Sequence, residues 1–69
     1  MERAQVESSN IESIGYDPDT ETLEVEFIKG GLYQYYGVPE HIYGELMSAS
    51  SHGGYLASNV KGTYSYSKV

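Results

Sequence analysis

The sequence predicts an α+β fold: a three-stranded antiparallel β-meander followed by two short helices packed on one of its faces, with a candidate extra strand at the C-terminus. Three observations carry this. Residues 22–28 alternate apolar and charged, which is the period of a half-buried strand. Turn formers flank that run, Asp17-Pro18-Asp19-Thr20 before it and Lys29-Gly30-Gly31 after it. Beyond Val38-Pro39 the apolar spacing switches from two to the three and four of a helix.

Residues 1–8 are polar and are expected to form a disordered tail, leaving 9–69 as one domain. The first strand spans Asn10 to Tyr16, with Ile14 and Tyr16 on one face and Ile11 on the other. Asp at the first and Pro at the second position of 17–20 suit a type I turn. In the second strand, Leu23, Val25 and Phe27 face inward while Glu24 and Glu26 face water. The glycines at 30 and 31 supply the positive φ that a tight hairpin needs. The third strand, Leu32 to Tyr36, puts Tyr33 and Tyr35 on one face and Leu32, Gln34 and Tyr36 on the other. Pro39 is expected at the first helical position, where its missing N–H costs nothing, with Glu40 favourably placed in the first turn. Ile42, Tyr43, Leu46 and Met47 then form an apolar stripe. Gly44 weakens this helix by about 1 kcal/mol relative to Ala, which suggests close packing there. Ser50 or Ser51 can cap a second helix running to about Ala57, with Tyr55, Leu56 and Val60 inward and Gly62 as a stop. Thr63 to Tyr66 alternates like a strand.

Sixty-nine residues make one domain with no space for both a core and an enclosed reaction chamber, so an enzyme is not expected. The absence of cysteine excludes disulfides and thiolate metal sites, and fits a reducing cytoplasm. No segment reads as a signal peptide or a membrane span. The net charge of −6 is uneven: all of it lies in residues 1–38, and residues 39–69 are neutral. A polyanion is therefore repelled by the first half and tolerated only by the second.

Eight of the nine aromatic residues are tyrosines. Their order joins a wider pattern: Ser9-Asn10-Ile11, Ile14-Gly15-Tyr16-Asp17, Leu23-x-Val25-x-Phe27, Gly31, Tyr33-x-Tyr35, Val38-Pro39, Tyr43, Leu46, Ser51-x-Gly53-x-Tyr55 and Tyr64. This pattern resembles the KTSC domain, a small module found at the C-terminus of some lysyl-tRNA synthetases and as stand-alone bacterial and phage proteins. The resemblance spans Ser8 to Tyr66, and Tyr33-Gln34-Tyr35 matches its central Tyr-x-Tyr. It implies a non-catalytic module with no cofactor and a suggested RNA partner.

The residues themselves offer one site with a mechanism. Ser50-Ser51-His52-Gly53-Gly54 would place hydroxyls and free backbone N–H groups at a helix N-terminus, where a phosphate oxygen could bind with help from Lys61. Set against that, capping the helix alone accounts for Ser51. Tyr33, Tyr35 and Tyr64 are the candidate stacking aromatics, provided that they lie open rather than under the helices. The rival class is protein binding or self-association, in which Tyr36, Tyr64 or Tyr66 lie together on an open face and form the interface with a free sheet edge. Metal binding has little support: His41 and Glu45 share a helix face but are too few, and Asp17-x-Asp19-x-Glu21 lacks the glycine and the distal glutamate of a calcium loop.

Overall fold

In a computed structural model describing all 69 residues, seven elements follow one another: β1 (Arg3–Gln5), β2 (Ile11–Asp17), β3 (Thr22–Phe27), β4 (Gly31–Tyr35), α1 (Glu40–Ser48), α2 (His52–Asn59) and β5 (Tyr66–Lys68). The strands form one antiparallel sheet in the order β1-β2-β3-β4-β5. The α+β class and the central meander are as the sequence predicts, but the sheet has five strands rather than three.

Both additional strands have physical reasons. Residues 3–5 are not a disordered tail: they pair with β2, Ala4 opposite Ile14. Their sequence carries no apolar alternation, so nothing local announces a strand. The docking comes from a distant residue, Gly15. A Cβ there would lie 2.5 Å from the Glu2 carbonyl oxygen and 2.9 Å from Arg3 Cγ, so only glycine lets β1 lie this close. At the other end the strand is Tyr66–Lys68, three residues later than the alternation from Thr63 suggests. The amides of Thr63 and Tyr64 instead bond to the Val60 carbonyl at 3.1 and 3.2 Å, and Gly62 turns the chain at φ +82°.

Cross-strand register puts Ile14, Val25 and Tyr33 in one row, and Tyr16, Leu23, Tyr35 and Tyr66 in the next. Directly opposed residues share a face, so both rows project toward the helices. Leu46 of α1, Leu56 of α2, Val38 and Val60 close over Ile11, Ile14, Leu23, Val25 and Tyr35, and all nine are buried. Burial of each large aliphatic side chain contributes about 1.5–3 kcal/mol, which is the main term holding so small a domain together. Tyr16 ties the sheet to α1: its ring stacks on Tyr43 at 4.9 Å and 10°, and its hydroxyl donates to the Val38 carbonyl. Burial, with Glu21, Glu40 and Asp17 nearby, raises the Tyr16 phenol above its ordinary value.

The turns and caps largely follow sequence chemistry. Asp17 Oδ1 accepts from the Asp19 amide at 2.9 Å, and Gly31 takes φ +87° in the next turn. Pro39 precedes α1 by one residue instead of opening it, in an extended conformation, and its carbonyl accepts the first helical amide, Ile42 N, at 3.0 Å. Gly44 has no packing role: no atom outside its own helix lies within 4 Å of where its Cβ would be.

The sheet face away from the helices is also not simply wet. Glu24 is 6% exposed, contrary to the expectation of a solvated acid. It accepts from Gln34 Nε2 at 2.8 Å and pairs with Arg3, while Arg3 Nε donates to Ser13 Oγ at 2.9 Å and Ser13 donates to Glu26 Oε1 at 2.9 Å. The Gln34 hydrogen bond, seconded by Arg3, outweighs desolvation and holds the Glu24 carboxyl below the usual glutamate value. No helix is long and apolar enough to cross a membrane.

Candidate functional site: a tyrosine and lysine groove

The two helices do not cover the whole inner face of the sheet. Toward the Ile28–Gly30 turn and β5, an open groove of about 990 Å³ remains. Its floor is aromatic: Phe27 from β3, Tyr33 and Tyr35 from β4, and Tyr66 from β5. Alternation along β3 and β4 and the Tyr35–Tyr66 register bring these four rings together. Phe27 meets Tyr33 edge-on at 5.6 Å, while Tyr66 leans on Tyr33 and Tyr35 at 5.9 and 5.8 Å. Leu56 and Gly53 of α2 form one wall, and Ser9 and Asn10 line the groove beside the turn.

The rings differ in what they offer. Tyr35 is 3% exposed, so the second tyrosine of the Tyr-x-Tyr signature belongs to the core, and burial raises its phenol above the ordinary value. Tyr33 is half-buried and shows part of its ring. Tyr66 is 61% exposed and presents the largest free aromatic surface in the groove.

Charge at the groove is of one sign. Lys29 and Lys61 line it, and no carboxylate does. Lys61 Nζ sits 5.0 Å from the Phe27 ring centroid, and Lys68 Nζ lies 5.9 Å from that of Tyr33. Every salt bridge in the protein uses Arg3, on the far face of the sheet, so all three lysines lack a carboxylate partner. The acids of the β2–β3 turn, Asp17, Asp19 and Glu21, lie at the other end of β3 from Lys29. Six strand residues separate them, roughly 17 Å at the usual rise. That is about two screening lengths at physiological salt. Glu12 and Glu26 lie nearer, beside Phe27 and Ile28 on the other face of the sheet, so the groove is cationic in its lining alone, in a chain that carries −6.

The residues singled out in the sequence divide between two places. Gly53, Lys61, Tyr33 and Tyr35 all line the groove. Ser50, Ser51 and Gly54 do not; they form the α2 cap, where Ser51 Oγ already accepts from the Gly54 amide at 3.0 Å. His52 Nδ1 is 2.8 Å from the Leu46 carbonyl and braces α2 against the end of α1. Tyr64 is half-buried against the core, outside the groove. Glu45, considered beside His41 as a metal ligand, accepts from the Tyr55 hydroxyl at 2.6 Å and pushes that phenol up to about 12. Groove residues that the sequence reading did not single out include Phe27, Lys29 and Asn10, together with Lys68 beside Tyr33, while Tyr66 was named only for a protein interface. Phe27 shares its alternation with core residues, and the others come together only through cross-strand register.

A family model described as the KTSC domain matches residues 7–64. Among individual proteins, the chain is 45% identical over 53 residues to an uncharacterised protein of Stutzerimonas stutzeri, covering 77% of this chain and 75% of that one. It is 38% identical over 63 residues to a lysine–tRNA ligase of Nostoc sp., covering 91% of this chain but only 11% of the ligase. The crystal structure of a KTSC domain protein from Yersinia pestis superposes with a TM-score of 0.97 at 46% identity, covering 99% of this chain and 96% of that one. With sequence pattern, five-stranded sheet and helix pair all in agreement, the chain belongs to the KTSC domain family.

Proposed function

We propose that this domain is a non-catalytic binding module that holds a short single-stranded stretch of RNA in the tyrosine and lysine groove. One observation carries the reading: in a chain of net charge −6, all three lysines, none paired to a carboxylate, gather around an aromatic groove with no acid in its lining. Exposed rings flanked by unpaired cations suit stacked bases and their phosphates. Tyr66 and Tyr33 supply ring surface, and Lys29, Lys61 and Lys68 supply charge. The domain also recurs within lysine–tRNA ligases, whose name makes tRNA their substrate. The module works by holding its ligand and uses no cofactor, and its place is the cytoplasm.

A titration of the labelled protein with short oligoribonucleotides at low salt tests this. Amide shifts at Tyr33, Tyr66 and Lys61 are expected. Three phosphate contacts predict that log K falls against log salt with a slope of about −2. Absent shifts in the groove would end the proposal. A ligand whose affinity survives high salt would point instead to a protein partner.

A further inference from the structure

We propose that the free edge of β5 pairs with the same edge of a second copy of this chain, giving a two-fold dimer with a continuous ten-stranded sheet. β5 ends the strand order, and each of its residues is exposed. The Tyr36 amide donates to the Ser65 carbonyl at 2.9 Å and the Val69 amide to the Leu32 carbonyl at 2.8 Å, with Ser67 opposite Gln34. Residues 65, 67 and 69 therefore turn their backbone groups toward β4. Alternation leaves the N–H and C=O of Tyr66 and Lys68 pointing out of the sheet edge with no strand to receive them.

This edge is complementary to itself. In an antiparallel pair centred on Ser67, Tyr66 stands opposite Lys68 of the second copy, and Lys68 opposite its Tyr66. Each such pair can exchange two backbone hydrogen bonds. The side chains then oppose a cation to a ring on the groove side of the sheet, a favourable cross-strand pairing. Side-chain charge favours this edge too: residues 65–69 carry no acidic side chain, whereas the other free edge, β1, runs between Glu2 and Glu7 and its Arg3 is already engaged. No proline or bulge guards β5, and its one charge, Lys68, is turned to the groove face, where Tyr66 of the second copy would meet it. Because Tyr66 also lines the groove, the grooves of the two copies would meet across the new junction.

Sedimentation of the full chain from dilute solution to about 1 mM, with amide hydrogen exchange at both ends of the range, tests the pairing. The expected result is a shift from the mass of one chain to that of two. With it, the Tyr66 and Lys68 amides should gain protection as concentration rises, while the Ser67 amide is protected throughout. Lys68→Pro removes an outward N–H and should keep the protein monomeric. Lys68→Ala retains that N–H and should still dimerise, more weakly. A single-chain mass at every concentration overturns the proposal. So do dimers whose Tyr66 and Lys68 amides exchange freely, and so do open-ended assemblies built through β1.

Discussion

Tyr66 shows more of its ring to water than any other tyrosine of the groove, at 61% exposure, while Tyr35 beside it is sealed at 3%. On the proposed reading, binding and folding divide between these neighbouring rings. Tyr66→Ala should weaken oligoribonucleotide binding by about 5- to 150-fold, the worth of one stacked base, and leave thermal stability nearly unchanged. Tyr35→Ala should chiefly cost stability, about 3–5 kcal/mol if it behaves as a buried aromatic truncation. Fluorescence titration and thermal melts of the two variants separate these outcomes. Glu24 makes a residue-scale prediction of a different kind. Its carboxyl titrates below its ordinary value of 4.5 in the folded state, so its ionised form stabilises the fold. That contribution is complete above about pH 4.5 and is lost as the pH falls through the lowered folded value. Glu24→Gln should flatten the acid limb of a stability-versus-pH curve measured by urea unfolding.

Among the elements, α1 and β1 answer opposite questions about glycine. Gly44 stands mid-helix in open space, so Gly44→Ala should gain about 1 kcal/mol and raise the melting temperature by roughly 4–8 °C. Gly15 is the reverse case. Gly15→Ala should push β1 off the sheet, costing about 1–3 kcal/mol, and amide exchange should show Ala4 and Val6 losing protection while β3 keeps its own. The same pair shows what a sequence can reveal. β2, β3, β4 and the two helices were legible because alternation, turn residues and the Ser51 cap are local signals. β1 was not, because its reason is a missing side chain twelve residues from Arg3. Of the groove, Tyr33, Tyr35, Gly53 and Lys61 could be named in advance. Their gathering with Phe27, Lys29 and Tyr66 could not, since strand register and the turn at Gly62 decide it.

The whole molecule spans only 28 × 24 × 23 Å, yet it keeps its charges apart. Arg3 and its carboxylates occupy one face of the sheet, and the unpaired lysines gather at a corner of the other. A net charge that would repel a polyanion at long range is therefore compatible with a short-range attractive corner, because salt screens the distant acids more than the adjacent lysines. Strand order has a further effect on how such a module can be mounted. The first and last strands lie at opposite borders, four inter-strand steps or about 19 Å apart. A polypeptide joined ahead of Met1 would therefore arrive beside β1, far from the tyrosine and lysine groove, whereas an extension after Val69 would emerge on the Tyr66 side and crowd it.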